Sequence, residues 1–203
     1  MSEETAPQNT EKRIKEAARK VFMEKGFDGT TTRDIAEAAG INVALTNYYF
    51  RSKEKLFRMI FEDAHRDFFH ESHELLQKPI SLREKIPQLI ASDFRLFAKN
   101  PNLSLFLITE RHRHPELLAS AKEAPPAVLF FLDQVQEAVT QGEIRPVAPA
   151  HVLQLIMANV QFVYLSKPIM FQCANIASAA YGEFIANHQQ LVTQMIMTYL
   201  FDF

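Results

Sequence analysis

Residues 31–57 read Thr31-Thr32-Arg33-Asp34-Ile35-Ala36-Glu37-Ala38-Ala39-Gly40-Ile41-Asn42-Val43-Ala44-Leu45-Thr46-Asn47-Tyr48-Tyr49-Phe50-Arg51-Ser52-Lys53-Glu54-Lys55-Leu56-Phe57. Thr31 and Asp34 have the spacing of a capping box, in which the first side chain and the third helical residue satisfy each other's backbone N–H. That predicts a helix over Thr32–Ala39 with a narrow apolar face of Ile35, Ala36 and Ala39. Ala36 is small where another helix must come close. Gly40 supplies a sharp left-handed turn that a residue with a Cβ resists. A second short helix, Val43–Phe50, follows within two residues. Two short helices joined by a glycine turn form a helix-turn-helix.

The second helix then presents Asn42, Val43, Ala44, Leu45, Asn47 and Tyr48 outward. That face suits a major groove. Asn47 can bond bidentately to adenine, and Val43, Ala44 or Leu45 can meet thymine methyls. Thr31, Thr32, Tyr48 and Lys53 can donate to phosphates, three of them near helix N-termini where free N–H groups favour anions. Arg33 can reach a phosphate or a base edge.

The run from Thr31 to Ile41, followed by Asn47-Tyr48-Tyr49-Phe50-Arg51-Ser52-Lys53-Glu54-Lys55-Leu56-Phe57, resembles the DNA-binding domain of the TetR family of bacterial repressors. The likeness covers about residues 10–60. It implies a dimer whose variable second domain binds a ligand and thereby releases DNA. Ala44 stands where the family often has glycine, and Asn47 where tyrosine is commoner. Thr46 stands where the motif buries an aliphatic side chain. Its methyl can pack, and its hydroxyl can bond back to the Asn42 carbonyl.

Upstream, Ile14, Ala17, Ala18, Val21 and Phe22 make one apolar stripe on a helix over Thr10–Lys25, ended by Gly26. Downstream, Ser52 caps a long helix that nothing interrupts before Pro79. Beyond it, prolines delimit helices near Leu82–Lys99, Asn102–Ala121 with a break at Pro115, Pro126–Gln141, Ala150–Ser166, and Ala174–Phe203 with a break near Gly182. Strand alternation is scarce. The expected fold is all-α: residues 1–9 a flexible N-terminus, 10–51 a three-helix DNA-binding domain, and 52–203 a helical ligand-binding and dimerisation domain entered through the long helix.

The chain has 203 residues and a formal net charge of −2. That average conceals a gradient. Residues 10–60 hold 11 Lys+Arg against 7 Asp+Glu, a surplus of +4, whereas residues 67–203 sum to −3. The basic surplus therefore lies on the helix-turn-helix, as phosphate attraction requires. From Pro146 to Phe203 only Lys167, Glu183 and Asp202 are charged. Helices apolar on more than one side are buried on more than one side. Val152, Ile156, Val160 and Val163 of one helix, with Val192, Met195, Ile196 and Tyr199 of the last, are the expected dimer interface. An isologous dimer supplies the two recognition helices that a palindromic operator needs.

Twelve of the 17 phenylalanines follow residue 66. Phe94, Phe97, Phe106, Phe130 and Phe131 are candidates to line an apolar effector pocket. The alternatives are a helical metal carrier or enzyme using His70, His73 and Glu74, or a DNA-bound factor without a transcriptional role. No nucleophile–base spacing, phosphate loop or His-Glu-x-x-His run appears, so no catalytic residue, cofactor or metal is expected. One cysteine, Cys173, excludes an internal disulfide and fits a reducing cytosol. No apolar run is long enough to span a membrane. The partners expected are double-stranded DNA, a second copy of the chain and a small, largely apolar effector.

Overall fold

The computed structural model describes residues 6–116, 125–174 and 176–202, with side chains from residue 9 onward except at 69–72. Ten α-helices occupy these residues: α1 (Ala6–Lys25), α2 (Thr32–Ala39), α3 (Val43–Phe50), α4 (Lys53–Gln77), α5 (Leu82–Lys99), α6 (Leu103–Arg113), α7 (Pro126–Gln141), α8 (Pro149–Leu165), α9 (Lys167–Cys173) and α10 (Tyr181–Phe201). A single 3-10 turn, Ser178–Ala180, precedes α10, and no strand occurs among the described residues. The all-α expectation holds. No helix among the described residues is long and apolar enough to cross a membrane.

The C-terminal region departs from expectation. Ser166 makes a turn, and α9 starts at once with Pro168 in its first turn, where a missing N–H costs nothing. Gly182 does not break α10, because it lies in the first turn.

The chain divides into two compact units. One comprises Met1–Asp67 and Leu105–Lys122, the other Phe68–Ser104 and Glu123–Phe203. The expected domains met between residues 51 and 52, but the first unit continues to Asp67. Leu56, Phe57, Ile60, Phe61 and Ala64 of α4 are buried there along with Ile14, Ala18, Val21 and Phe22 of α1. Phe57 is the hub, with ring centroids 5.1 Å from Phe22 and 6.0 Å from Phe106 of α6.

The second unit has its own core. Ile86, Ile90, Phe94 and Phe97 of α5 cluster with Phe131 and Val135 of α7, Val152, Ile156 and Val160 of α8, and Val192, Ile196 and Leu200 of α10. Lys85 is fully buried among them. Its ammonium donates to the Leu76 carbonyl (2.7 Å) and to Gln134 Oε1 (2.6 Å), and burial pushes its pKa down.

Candidate nucleic-acid interface

The capping box at the start of α2 is complete. Thr31 Oγ1 accepts the Asp34 N–H at 3.1 Å, and Asp34 Oδ2 accepts the Thr31 N–H at 2.7 Å. Lys25 Nζ donates to the other carboxylate oxygen at 2.6 Å. The Lys25 bond, then those from Thr31, hold the Asp34 carboxyl well below the ordinary carboxylate range. The Thr31 hydroxyl also donates to Asp34, so it serves the helix start. Thr32 is half-buried and Arg33 is exposed.

The turn is fixed from both sides. Gly40 sits at φ 62° and ψ 40°, with its N–H on Glu37 O, while the Ile41 N–H bonds Ala36 O, both at 3.0 Å. This pair of bonds satisfies carbonyls at the end of α2 that the helix itself leaves open. Arg13 of α1 adds a third, donating to Ala39 O at 2.8 Å. A cation at a helix C-terminus also opposes the negative end of its dipole.

Asn42 opens α3, its Oδ1 accepting the Ala44 N–H at 2.9 Å. Asn42, Ala44, Leu45, Asn47 and Tyr48 are exposed, Val43 is half-buried, and Thr46 and Phe50 face the core. Tyr48 is 78 % exposed and stands beside the Tyr49 ring, with centroids 5.5 Å apart. The expected back-bond from Thr46 is not made. Its Oγ1 is buried and has no hydrogen-bond partner.

Lys53 turns inward. Its ammonium donates to Phe27 O at 2.9 Å and Thr30 O at 3.0 Å, and lies 4.1 Å from the centroid of the Phe27 ring. It therefore holds the loop between α1 and α2. The same loop is gripped by α6. Glu110 is buried and accepts the Phe27 N–H at 3.1 Å, and His114 Nε2 lies 3.3 Å from Asp28 Oδ2. Gly26 (φ 69°) makes room, since a Cβ there would fall 2.6 Å from Glu110 Oε1. Arg13, Glu110 and His114 carry no local motif. Their roles arise from contacts between residues far apart in sequence.

The second unit contains a cavity of about 40 Å³ lined by Phe68, Leu76, Leu89, Asp93, Val128, Leu153, Ile156 and Met157. None of the five candidate phenylalanines lines it. Phe94, Phe97 and Phe131 are packed in the second core, Phe106 belongs to the first core beside Phe57 and Phe61, and Phe130 is on the surface. The lining is apolar apart from the Asp93 carboxylate.

Of the residues expected at a subunit interface, Val152, Ile156, Val160, Val163, Val192 and Ile196 are instead closed inside the chain's own core. Met195 and Tyr199 are exposed, together with Phe162 (63 %) on α8 and Leu191 (61 %) on α10. α8 and α10 pack on one another. Tyr199 carries the Arg145 guanidinium 4.3 Å from its ring centroid. Among the described residues no group of three His, Cys, Asp or Glu side chains can hold a metal, and the side chain of His70 lies outside them.

Residues 14–60 match the family described as bacterial regulatory proteins, tetR family. The chain is 28% identical over 134 residues to the fatty acid metabolism regulator protein of Bacillus subtilis strain 168, covering 65% of this chain and 69% of that one. It is 27% identical over 183 residues to the HTH-type transcriptional regulator UidR of Escherichia coli K12, covering 88% and 91% of the two chains. In fold it is similar to a TetR family transcription regulator from Marinobacter aquaeolei VT8, with a TM-score of 0.69 at 19% identity over 94% of this chain and 95% of the other. The capped α2, the glycine turn, the exposed α3 face and these likenesses agree: residues 14–60 match the tetR family of bacterial regulatory proteins as a DNA-binding helix-turn-helix, and the chain as a whole is similar to transcriptional regulators of that kind.

Proposed function

We propose that this regulator is a homodimeric repressor, released from a palindromic operator when a small, largely apolar molecule occupies its second unit. The exposed row of Asn42, Ala44, Leu45, Asn47 and Tyr48 on α3 carries the reading, because these side chains combine amide, methyl and hydroxyl groups suited to base edges and phosphates. The dimer is supported by Phe162, Leu191, Met195 and Tyr199, an apolar set that a lone chain leaves in water. Two copies related by a two-fold axis bring two recognition helices to half-sites one helical turn, about 34–36 Å, apart.

The effector reading rests on the cavity among α4, α5, α7 and α8. At about 40 Å³ it accommodates little more than a water-sized group, so a larger occupant must part these helices. α4 contributes Phe57 and Phe61 to the first core and Leu75 and Leu76 to the second. An effector that prefers the parted arrangement weakens DNA binding by the free energy of that preference and no more. An apolar occupant is also in keeping with the resemblance to a fatty acid metabolism regulator.

Selection of bound fragments from sheared genomic DNA, followed by footprinting, tests the proposal. A protected pseudo-palindrome that small apolar compounds release is expected. Binding without sequence preference would refute it.

A further inference from the structure

We infer that Arg51 is a DNA-phosphate contact, held in place by a strained turn between α3 and α4; the inference rests on the DNA-binding reading of this unit. Arg51 has φ 56° and ψ −36°, and the Ser52 N–H bonds back to Phe50 O across it. That is a three-residue γ-turn of the positive-φ kind, which is rare and strained for a residue with a side chain. Three other positive-φ positions, Gly26, Gly40 and Gly142, use glycine, and Arg51 is the one non-glycine residue in that region among the described residues. A glycine would relieve the turn at Arg51 as it does the other three. The turn carries an arginine nonetheless.

The position of that arginine points to its use. The Arg51 N–H caps α3 by donating to Asn47 O at 2.9 Å, so its backbone lies one turn beyond Asn47, at the C-terminal end of the helix that exposes Asn47 and Tyr48. Arg51 is exposed. Lys53, two residues on, has its ammonium committed to Phe27 O and Thr30 O. The nearby carboxylate, Glu54, is held below its ordinary pKa by its own backbone N–H at the α4 N-terminus and then by the Ser52 hydroxyl. Arg51 is thus a cation placed at the edge of the recognition face. Its planar guanidinium matches two phosphate oxygens at once.

The test compares the wild type, Arg51→Gly and Arg51→Lys on a short mixed-sequence DNA duplex over a range of salt, with thermal unfolding of each protein alone. Arg51→Gly is expected to raise Tm, weaken binding to all sequences, and make the slope of log K against log salt shallower by ~1 per protomer. Arg51→Lys should restore the slope without the gain in Tm. An Arg51→Gly protein that binds with the wild-type slope overturns the inference, as does one that binds weakly because its Tm has fallen. Failure of the wild type to bind any duplex at low salt would instead remove the DNA-binding reading itself.

Discussion

Lys53→Met keeps the length of the side chain and removes its ammonium. The wild-type ammonium makes two charge-assisted bonds, at 2.9 and 3.0 Å, to carbonyls of the α1–α2 loop. Such bonds contribute about 1.5–3 kcal/mol each, and the half-buried position of Lys53 puts these at the low end. The contact with the Phe27 ring at 4.1 Å adds about 0.5–1 kcal/mol, part of which the methionine thioether recovers. The net loss is about 3–4 kcal/mol. In a chain of this length that lowers Tm by roughly 6–15 °C. Circular dichroism melts read the stability, and titration with duplex at several salt concentrations reads the phosphate contacts. The salt slope of the folded protein should be unchanged, since the ammonium faces carbonyls of its own chain. Unaltered stability with a slope shallower by ~1 would refute the reasoning and put Lys53 on a phosphate.

Leu191→Arg should convert the proposed dimer to monomers and abolish operator binding while leaving the melt nearly unchanged, as sedimentation and gel-shift measurements can check; Leu191 is exposed whereas its neighbour Val192 is core. Thr46→Val removes a buried hydroxyl that has no partner, so it should raise stability by about 1–2 kcal/mol in urea unfolding with DNA affinity retained. Asp34 has a folded pKa depressed below its ordinary 3.8, so its stabilisation is present above that value and is lost as pH falls through and below it. Asp34→Asn should therefore lower Tm at neutral pH and flatten the decline below about pH 4 in a pH series of melts.

The recognition module was readable because its determinants are local. Thr31 and Asp34 are three residues apart, and Gly40 is needed where the backbone must turn left-handed. The apolar stripes were harder. Periodicity told that α8 is apolar on more than one side, but periodicity gives only the phase of a stripe around the helix. It does not say which stripe meets the chain's own core. Val152, Ile156, Val160 and Val163 do so, and Phe162 points away. The phenylalanines show the same limit of periodicity. Phe94 and Phe106 are equally apolar, yet one belongs to the second unit and the other to the first. Lys53 read as an outward cation by its place in the motif, and only the folded loop from Phe27 to Thr30 gives it inward partners.

The bond from the Phe27 N–H to Glu110 has a consequence for the order in which the protein assembles during synthesis. The first unit is discontinuous: its second segment, bearing Phe106, Glu110 and His114, follows a stretch that belongs to the other unit. A nascent chain that has just been made through Asp67 lacks the residues that cover Phe57 and Phe61 and that satisfy Phe27. At ~5–20 residues per second, about 40 more residues and roughly 2–8 s pass before Glu110 is made. Throughout that interval the helix-turn-helix exists without its clasp. The unit that carries the helix-turn-helix therefore matures only after translation has passed well into the other unit.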